Sequence, residues 1–439
     1  MKIAVAGTGY VGLVTAVCFA EIGNYVTCVD IDEKKIEIMN KGISPIHEAN
    51  LTELMVKNKK RLKYTTDYKS AYQDKDVIFI GVGTPERKDG SANLDYVYNV
   101  VDQIISSINK NIVLVIKSTV PIGTNDDVEK YILSKKIKYK VDIVSNPEFL
   151  AQGTAVKDTL YASRIVVGTE TENAKKTMRK LYKPLTKKPY NVPYIEVKRR
   201  SAEMVKYASN DFLALKICYI NEIANLCEIL DADINEVTKG MSYDKRIGDK
   251  FLNSGIGYGG SCFPKDTKAL YMLAKENDYD LKLVKQAILI NENQKLKLFN
   301  KLKEDFKSLK NKKIAVLGVT FKPNTDDIRE APSIINVKKL LDENVIVNVY
   351  DPVGLDNFRK IFKDKINYYT NINKAIEGAD AVFILTEWDE VKKYNVNNYA
   401  KLMKKANIYD GRNCYDSKIM KDKKISYYSI GRKRMSKNV

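Results

Sequence analysis

The amino-acid sequence predicts an α/β protein in which two Rossmann-like doubly wound domains are joined by a long central helix. Two regions of the chain alternate short apolar runs with longer amphipathic stretches, a pattern typical of parallel sheets flanked by helices. Between these regions lies a stretch that contains neither glycine nor proline. At 439 residues, the chain is also too long for one ordinary hydrophobic core.

The first region contains five apolar runs that suit buried strands. They predict strands at residues 2–7, 25–31, 76–82, 112–118 and 141–146. Thr84 and Thr119 follow the third and fourth runs. Because ligands bind at the carboxyl ends of parallel strands, we expect both threonines at the crevice of this sheet.

The stretch from Arg199 to Asp231 predicts one long helix. A helix of roughly 30 residues spans about 45 Å, which suits a connection between two domains. Since such a helix often carries a subunit interface, we expect at least a homodimer. Apolar residues cover most of its surface, so we expect burial on more than one side. These residues are Met204, Val205, Phe212, Leu213, Leu215, Ile217, Ile220, Ile223, Leu226 and Ile229.

The second region repeats features of the first. Its KIAVLG sequence at residues 313–318 matches KIAVAG at residues 2–7. Its apolar runs predict strands at residues 313–319, 345–351, 379–386 and 407–410. We interpret this similarity as an internal duplication of a Rossmann-like fold. No glycine motif follows Gly318, so the second copy is expected to bind a different ligand.

Composition excludes several classes of function. The net charge of +19 comes from lysines interleaved with acidic and apolar residues, which favours solvated helix faces over a nucleic-acid surface. No apolar run approaches the ~20 residues of a membrane span, and the N-terminus lacks the pattern of a signal peptide. We therefore expect a cytoplasmic protein with neither a nucleic-acid nor a membrane partner.

The chain has a single histidine, His47, which excludes a Ser-His-Asp triad and any site with several histidine ligands. His47 lies in a predicted loop and is interpreted as a surface residue. The six cysteines form no CxxC pair, and no metal site is predicted. Acid–base chemistry must therefore come from Lys, Asp, Glu, Cys or water.

The segment Gly7-Thr8-Gly9-Tyr10-Val11-Gly12 predicts a dinucleotide site. This GxGxxG motif follows a strand and opens a helix, and Asp30 lies 18 residues beyond Gly12 at the end of the next strand. In this context the glycines allow a tight turn and close approach of a pyrophosphate, while the carboxylate binds ribose hydroxyls. Asp30 would repel a 2′-phosphate, so the predicted cofactor is NAD rather than NADP.

A second glycine-rich segment carries the predicted reactive group. Residues 255–260 contain four glycines, and Cys262 follows where Pro264 and Asp266 indicate the start of a helix. The dipole at a helix N-terminus favours a thiolate. A helix cap would explain Pro264 and Asp266 but not so many glycines, which suit a backbone wrapped closely around a ligand.

Lys206 and Asn210 lie four residues apart on the predicted central helix, so their side chains share one face. From the residues alone, Lys206 could equally belong to a charged stripe that reaches solvent. A dinucleotide with a nucleophilic cysteine suggests oxidation through a thiohemiacetal and a thioester formed on Cys262. Lys206 and Asn210 would stabilise oxyanions on the reacting carbon.

Seven segments resemble motifs of the UDP-glucose 6-dehydrogenase family, in the family's order. The resemblance covers essentially the whole chain, and the cysteine loop is its most specific part. The segments are GTGYVG (7–12), VGTP (82–85), KSTVPIGT (117–124), NPEFL (146–150), SAEMVKYASNDFLALKI (201–217), GIGYGGSCFPKD (255–266) and GVTFKPNTDDIREAPS (318–333).

The resemblance implies an NAD-dependent four-electron dehydrogenase that oxidises UDP-glucose to UDP-glucuronate with two NAD and water. The catalytic residues it implies are Cys262, Lys206, Asn210, Asp266, Glu148 and Thr119. The implied NAD contacts are Gly7, Gly9, Tyr10, Val11, Gly12, Asp30, Lys35, Thr84, Thr119 and Arg329. The implied substrate contacts are Glu148, Phe149, Leu150, Gln152, Lys206, Asn210, Arg246, Asn253, Gly257, Tyr258, Gly259, Lys322 and Arg412, with Arg246 reaching the neighbouring subunit.

On this basis we predict an NAD-binding domain at residues 1–198, a central helical domain at 199–300 and a UDP-binding Rossmann-like domain at 301–439. Two positions depart from the family. Gln152 replaces a usual glutamate and cannot take a proton from water. Ala49-Asn50 replaces a usual Pro-Gly, which we interpret as a neutral loop change.

Three alternatives remain open at this point. A sister enzyme would act on UDP-N-acetylmannosamine or another nucleotide sugar by the same chemistry. A two-electron hydroxyacid dehydrogenase would also use a Rossmann domain with a helical Lys and Asn, but it would not need Cys262. A basic nucleotide- or nucleic-acid-binding protein with an inactive site would have lost catalytic residues, and apart from Gln152 none is missing.

Overall fold

A computed structural model describes residues 1–421 and 425–434, so the end of the predicted C-terminal domain, 435–439, lies outside the described residues. The chain divides into two compact units, residues 1–209 and 210–439. Each unit is built around its own sheet. The predicted fold class is thereby confirmed.

The sheet of the first unit has eight strands in the order β3-β2-β1-β4-β5-β6-β7-β8. Neighbouring strands pair in parallel except β6 and β7, which are antiparallel. The order of the first six strands is that of the Rossmann fold. The strands are β1 (Lys2–Ala6), β2 (Tyr25–Val29), β3 (Leu62–Thr65), β4 (Val77–Ile80), β5 (Ile112–Ile116), β6 (Val141–Ser145), β7 (Ile165–Gly168) and β8 (Tyr194–Val197).

Helices cover both faces of this sheet. Alternate residues of β1 show the arrangement, because Ile3 and Val5 pack into one apolar cluster and Ala4 and Ala6 into another. Burial on both faces explains the continuous apolar runs of the central strands. The helices are α1 (Tyr10–Glu21), α2 (Glu33–Asn40), α3 (Leu51–Lys57), α4 (Tyr68–Ala71), α5 (Asp95–Ser107), α6 (Thr124–Ser134), α7 (Ala155–Leu160) and α8 (Glu172–Tyr182).

The predicted long helix is present as α9 (Arg199–Leu230). The prediction that it is buried on more than one side is wrong for the single chain. Ala214, Cys218 and Ala224 are buried, but the apolar residues on the opposite side face solvent, because only one side packs against the chain itself. The exposed fractions are 43% for Met204, 63% for Phe212, 54% for Tyr219, 48% for Leu226 and 78% for Ile229.

The sheet of the second unit has six strands in the order β11-β10-β9-β12-β13-β14, and all pairs are parallel. This order is the Rossmann order again, as the predicted duplication requires. The strands are β9 (Lys313–Leu317), β10 (Ile346–Tyr350), β11 (Asn367–Tyr369), β12 (Ala381–Ile384), β13 (Asn407–Asp410) and β14 (Ser426–Ser429).

The helices of the second unit include a set that precedes its sheet in the chain and a set that flanks the sheet. The first set is α10 (Ile234–Ser242), α11 (Phe263–Glu276), α12 (Lys282–Lys295) and α13 (Lys297–Asp305). The second set is α14 (Pro332–Asp342), α15 (Leu355–Phe362) with a 3₁₀ turn at Lys363–Lys365, α16 (Ile372–Ile376), α17 (Asp389–Lys392), α18 (Asn397–Leu402) and α19 (Ser417–Lys421). Across the described ranges, no helix is long and apolar enough to cross a membrane.

Candidate active site

The glycine motif forms the turn between β1 and α1. Gly7 has a φ of +89°, and a Cβ on Gly12 would stand 1.9 Å from the carbonyl oxygen of Gly7. These two glycines are required by the fold itself. A Cβ on Gly9 would meet nothing within 4 Å, so this side of the turn is open to a ligand at the start of α1. Tyr10 and Val11 form the first turn of that helix.

Asp30 ends β2 beside this turn. Its carboxylate accepts hydrogen bonds from the backbone N–H (2.8 Å) and the hydroxyl (2.6 Å) of Thr8. Burial opposes the charged form of Asp30 and would raise its pKa. The pKa is nevertheless lowered, because the carboxylate accepts these bonds and one more from the backbone of Asp32, and because the charge of Lys35 is near. Asp30 is thus an anion beside the glycine turn, with Lys35 nearby on α2.

Thr84 and Thr119 meet at the carboxyl ends of β4 and β5, as predicted. The Thr84 hydroxyl donates to the carbonyl oxygen of Thr119 at 2.8 Å. Ser118 joins the same two segments by donating to the carbonyl oxygen of Val82 at 2.6 Å. The predicted NAD contacts of the first unit therefore share one edge of its sheet.

A buried ion pair lies at the end of β6. Lys206 of α9 donates to Glu148 at 2.9 Å, and the backbone N–H of Leu150 donates to the other carboxylate oxygen at 2.7 Å. Glu148 and Lys206 are 6% and 3% exposed. Lys206 therefore does not belong to a solvent-facing stripe. The guanidinium of Arg164, a residue the sequence analysis did not single out, lies 3.9 Å from the ring centre of Phe149.

Gln152 is buried in the segment that leads into α7. Both carboxylate oxygens of Glu48 hold this segment, accepting from the backbone N–H groups of Gly153 (2.7 Å) and Ala155 (2.8 Å). Asn50, which stands where the family usually has glycine, has a φ of +62°. Asparagine tolerates this left-handed conformation, so Asn50 suits the backbone of the loop that carries Glu48. His47 of the same loop is exposed, as predicted.

In the second unit, Asn210 donates to Asp266 at 2.7 Å. The other oxygen of Asp266 accepts from Lys265 at 2.5 Å, a partner that sequence reasoning missed. Cys262 caps the N-terminus of α11 and is half-buried, with the Ser261 hydroxyl 3.8 Å from its sulfur. The predicted helix start is confirmed.

The other five cysteines differ from Cys262. All six are free, and four of the other five are buried. Burial raises the pKa of Cys218 to about 12 and raises the pKa of Cys18, Cys28 and Cys414 further. These thiols are poor nucleophiles.

The glycines before Cys262 are accounted for by contacts within the second unit. A Cβ on Gly259 would stand 2.3 Å from the carbonyl oxygen of Glu330, and one on Gly257 would stand 2.7 Å from Asn291. Asn291 also accepts from the backbone N–H of Tyr258 at 2.8 Å. These contacts within the protein explain the glycines without the close ligand contact that the sequence suggested. Asn291 was not predicted, since a buried asparagine on α12 gives no sequence signal.

The predicted ligand contacts of the second unit, which are substrate contacts except for the NAD contact Arg329, fall into two groups. Arg412 is half-buried and donates to the carbonyl oxygens of Leu385 (2.9 Å) and Gly257 (3.3 Å), which joins it to the glycine segment. Lys322 is half-buried. Asn253 is exposed, and Arg246 and Arg329 are exposed and each pair with an aspartate two residues earlier at 2.6 Å.

The second unit has no counterpart of the cofactor turn. Asp351 ends β10 as Asp30 ends β2, but it is 1% exposed. It accepts from the backbone N–H of Val319 (2.7 Å) and from the indole N–H of Trp388 (3.0 Å). The Asp351 carboxylate is therefore occupied by hydrogen bonds within the fold. In addition, no helix begins directly after β9. A different ligand is expected there.

The chain matches all three domain models of the UDP-glucose/GDP-mannose dehydrogenase family: the NAD binding domain at residues 1–186, the central domain at 200–293 and the UDP binding domain at 315–417. The chain belongs to this family. Membership confirms the predicted NAD cofactor and the class of NAD-dependent oxidoreductase. The open side of the turn at Gly9 and the anionic Asp30 fit this cofactor.

Known proteins are similar over almost the full length. UDP-glucose 6-dehydrogenase YwqF of Bacillus subtilis (strain 168) is 45% identical, over 99% of this chain and 98% of the relative. The structure of a UDP-glucose dehydrogenase from Pyrobaculum islandicum is 33% identical with a TM-score of 0.89, covering 95% of each chain. That of a UDP-D-ManNAc dehydrogenase from Pyrococcus horikoshii is 27% identical with a TM-score of 0.87, covering 98% of this chain and 99% of the other.

Proposed function

We propose that this family member is a UDP-glucose 6-dehydrogenase, which oxidises UDP-glucose to UDP-glucuronate with two NAD and water. The observation that carries the proposal is Cys262, a half-buried thiol at the N-terminus of α11. A four-electron oxidation through a thioester needs such a nucleophile, whereas a two-electron alcohol oxidation does not. Relatives named UDP-glucose 6-dehydrogenase, 41–45% identical over almost the whole chain, support the choice of sugar.

The mechanism follows from the residues at each step. The glycine turn and Asp30 would hold NAD, which would supply the acceptor for the two hydrides. After the first oxidation, Cys262 adds to the aldehyde, and the second oxidation converts this thiohemiacetal to a thioester that water hydrolyses. Lys206 and Asn210 stabilise the oxyanions. Glu148, Thr119 and Asp266 hold the water and its proton.

The binding residues implied by the resemblance are part of this proposal. NAD contacts Gly7, Gly9, Tyr10, Val11, Gly12, Asp30, Lys35, Thr84, Thr119 and Arg329. The UDP-sugar contacts the segment from Glu148 to Gln152, Asn253, Gly257, Tyr258, Gly259, Lys322 and Arg412. The three-domain division at residues 198 and 300 and the cytoplasmic location stay predictions.

The proposal includes a homodimer in which Arg246 reaches the substrate site of the neighbouring subunit. The exposed apolar side of α9 supports a dimer, since single chains rarely leave such a patch in water. Arg246 is 90% exposed and thus able to reach a second chain.

A stoichiometry tests the reaction. Two NADH should form per UDP-glucose consumed, with UDP-glucuronate as product. One NADH per sugar would indicate a two-electron dehydrogenase and would refute the thioester route. UDP-N-acetylmannosamine is the second candidate substrate, favoured by the likeness to the Pyrococcus horikoshii enzyme. The ratio of kcat/KM values for the two sugars decides between them.

Replacing the nucleophile tests the covalent step. With Cys262→Ser, any ester that forms hydrolyses far more slowly than a thioester, so turnover should fall by about 10² or more while sugar stays bound to the enzyme. Mass spectrometry of the intact chain measures this adduct. Cys414→Ser is the matched control, because Cys414 is the other half-buried cysteine and should leave turnover unchanged. Wild-type turnover in Cys262→Ser would remove the thioester from the mechanism.

A further inference from the structure

Lys117 is a buried lysine that the proposed mechanism does not use. It follows β5, it is 8% exposed, and it neighbours Thr119 in the chain. Its Nζ donates two long hydrogen bonds, at 3.2 Å to the side-chain oxygen of Asn146 and at 3.5 Å to the carbonyl oxygen of the same residue. The second bond is too long to be strong, so the two bonds only partly compensate for burying an ammonium group.

Asn146, the hydrogen-bond partner of Lys117, also has other partners in the fold. Asn146 already donates to the carbonyl oxygen of Val166 at 2.8 Å and accepts from the hydroxyl of Tyr182 at 2.5 Å. An apolar side chain of similar length would fill the same volume without the desolvation penalty. A buried charge that contributes little to stability suggests a functional role.

A cavity of about 40 Å³ adjoins Lys117 and also touches Glu148, Thr15, Thr159 and Asp158. This volume exceeds the roughly 10–15 Å³ that a water molecule needs. The hydroxyl oxygen of Thr15 is buried and has no hydrogen-bond partner, which is an independent sign that the cavity is hydrated. Asp158 of α7 is only half-buried, so the cavity is lined both by a buried carboxylate and by a partly exposed one.

The charges around Lys117 suit transfer of a proton. The charged and titratable groups that face it or line the cavity are Glu148, Lys206, Cys18, Asp158, Arg164 and Tyr182. Burial lowers the pKa of Lys117 to about 8, an effect that Glu148 opposes and Lys206 reinforces. The lysine can therefore exchange between amine and ammonium near neutral pH, as a relay requires.

We propose that Lys117 is a positioning residue that removes protons from the Glu148–Lys206 pair through water in this cavity. The inference rests on the proposed function, in which oxidation of one CH₂OH to a carboxylate by two NAD and one water releases three protons. When Glu148 holds such a proton, its O–H bond breaks to a bridging water, that water protonates the Lys117 amine, and the ammonium returns the proton to cavity water that exchanges with bulk.

Lys117→Met tests the relay, because methionine fills the volume but cannot titrate. We expect kcat at pH 7 to fall by about 10²-fold. The KM values for NAD and for UDP-glucose should stay within twofold of wild type. The dependence of kcat on a group that titrates near pH 8 should disappear. The thermal midpoint should not fall. Lys117→Ala should regain turnover as methylammonium is added. Lys63→Met, which removes an exposed lysine of β3, is the control and should match wild type throughout.

The outcomes separate the two proposals. Failure of the wild type to form UDP-glucuronate would refute the function. An active wild type with an unchanged kcat and pH profile in Lys117→Met, or with a change in KM alone, would overturn the relay. If Lys117→Met does not fold, Thr15→Val carries the test. It should lower kcat about 2–10-fold through loss of one hydrogen bond and enlarge the solvent isotope effect, and an unchanged kcat would overturn the proposal.

Discussion

Glu148 and Lys206 form an ion pair with both side chains more than nine-tenths buried. Such a pair is weak evidence for stability, because desolvation offsets most of its attraction. Its placement at the carboxyl end of β6 instead matches the edge of the sheet where ligands bind. Gln152, four residues after Glu148, is also buried. In the proposed mechanism the proton released by hydrolysis would pass to a neighbouring carboxylate, because the amide of Gln152 cannot accept it.

Restoring the family's carboxylate tests this division of roles. Since Glu148 and Asp266 remain available, Gln152→Glu should change kcat less than tenfold, apart from a shift of the pH profile. Steady-state kinetics from pH 6 to pH 9 measure this effect. An increase of a hundredfold, within the range of about 10²–10⁴ that a general base contributes, would mean that hydrolysis is impaired in the natural chain.

Asp211 gives a pH-dependent prediction about stability. It is 3% exposed, neither carboxylate oxygen has a hydrogen-bond partner, and burial together with the charge of Asp266 raises its pKa to about 8. The folded chain therefore holds this proton more tightly than the unfolded chain does. The stabilisation is fully present below pH ~4 and is lost as the pH rises to about 8.

Asp211→Asn removes this titration. From pH 5 to pH 8 the variant should gain stability relative to wild type, by on the order of 3–4 kcal/mol. Thermal unfolding midpoints at several pH values measure the trend. Asp356→Asn, at an exposed position of α15, is the control and should show no pH-dependent gain in stability over wild type. A constant difference between Asp211→Asn and wild type across this range would contradict the prediction.

At the scale of elements, the sequence predicted the strands that are buried on both faces. β1, β4 and β5 form continuous apolar runs, whereas the strands at the sheet edges, β3, β8, β11 and β14, give no such pattern and were missed. The short apolar run of β7 was missed as well. The length of α9 followed from the absence of glycine and proline. The sequence did not indicate which side of α9 is buried, because apolar residues occupy both sides of the helix. The Glu148–Lys206 pair joins residues 58 apart in sequence, a distance that no local pattern encodes.

The turn between β1 and α1 offers a matched pair of variants. Gly12→Ala places a Cβ 1.9 Å from a carbonyl oxygen, so it should lower stability by at least about 1–3 kcal/mol. Gly9→Ala meets no protein atom within 4 Å and should leave the thermal midpoint unchanged. It should nevertheless weaken NAD binding in a fluorescence titration, because a Cβ there blocks the approach of the pyrophosphate. If Gly9→Ala bound NAD as tightly as wild type does, the cofactor would not bind at this turn.

At the scale of the whole molecule, two sheets share one strand order but differ in the chemistry of their ligand-binding edges. Asp30 keeps an anionic, partly open position, whereas Asp351 is enclosed by hydrogen bonds. This divergence allows one unit to bind NAD and the other to bind a different nucleotide. The feature that neither sheet explains is the exposed apolar row of α9, formed by Phe212, Tyr219 and Leu226 at intervals of seven residues.

Residues seven apart lie two helical turns apart on one side of a helix, so this row presents a continuous apolar surface suited to a second copy of α9. We expect wild type to have about twice the 49.9 kDa mass of one chain in light scattering. Phe212→Ser with Tyr219→Ser should shift the mass to that of one chain and lower activity, because Arg246 is then missing from the neighbouring site. Leu133→Ser, at a position 71% exposed on α6, is the control and should change neither the mass nor the activity. A dimer that survives the double substitution would place the interface elsewhere, and a monomeric wild type would refute the dimer itself.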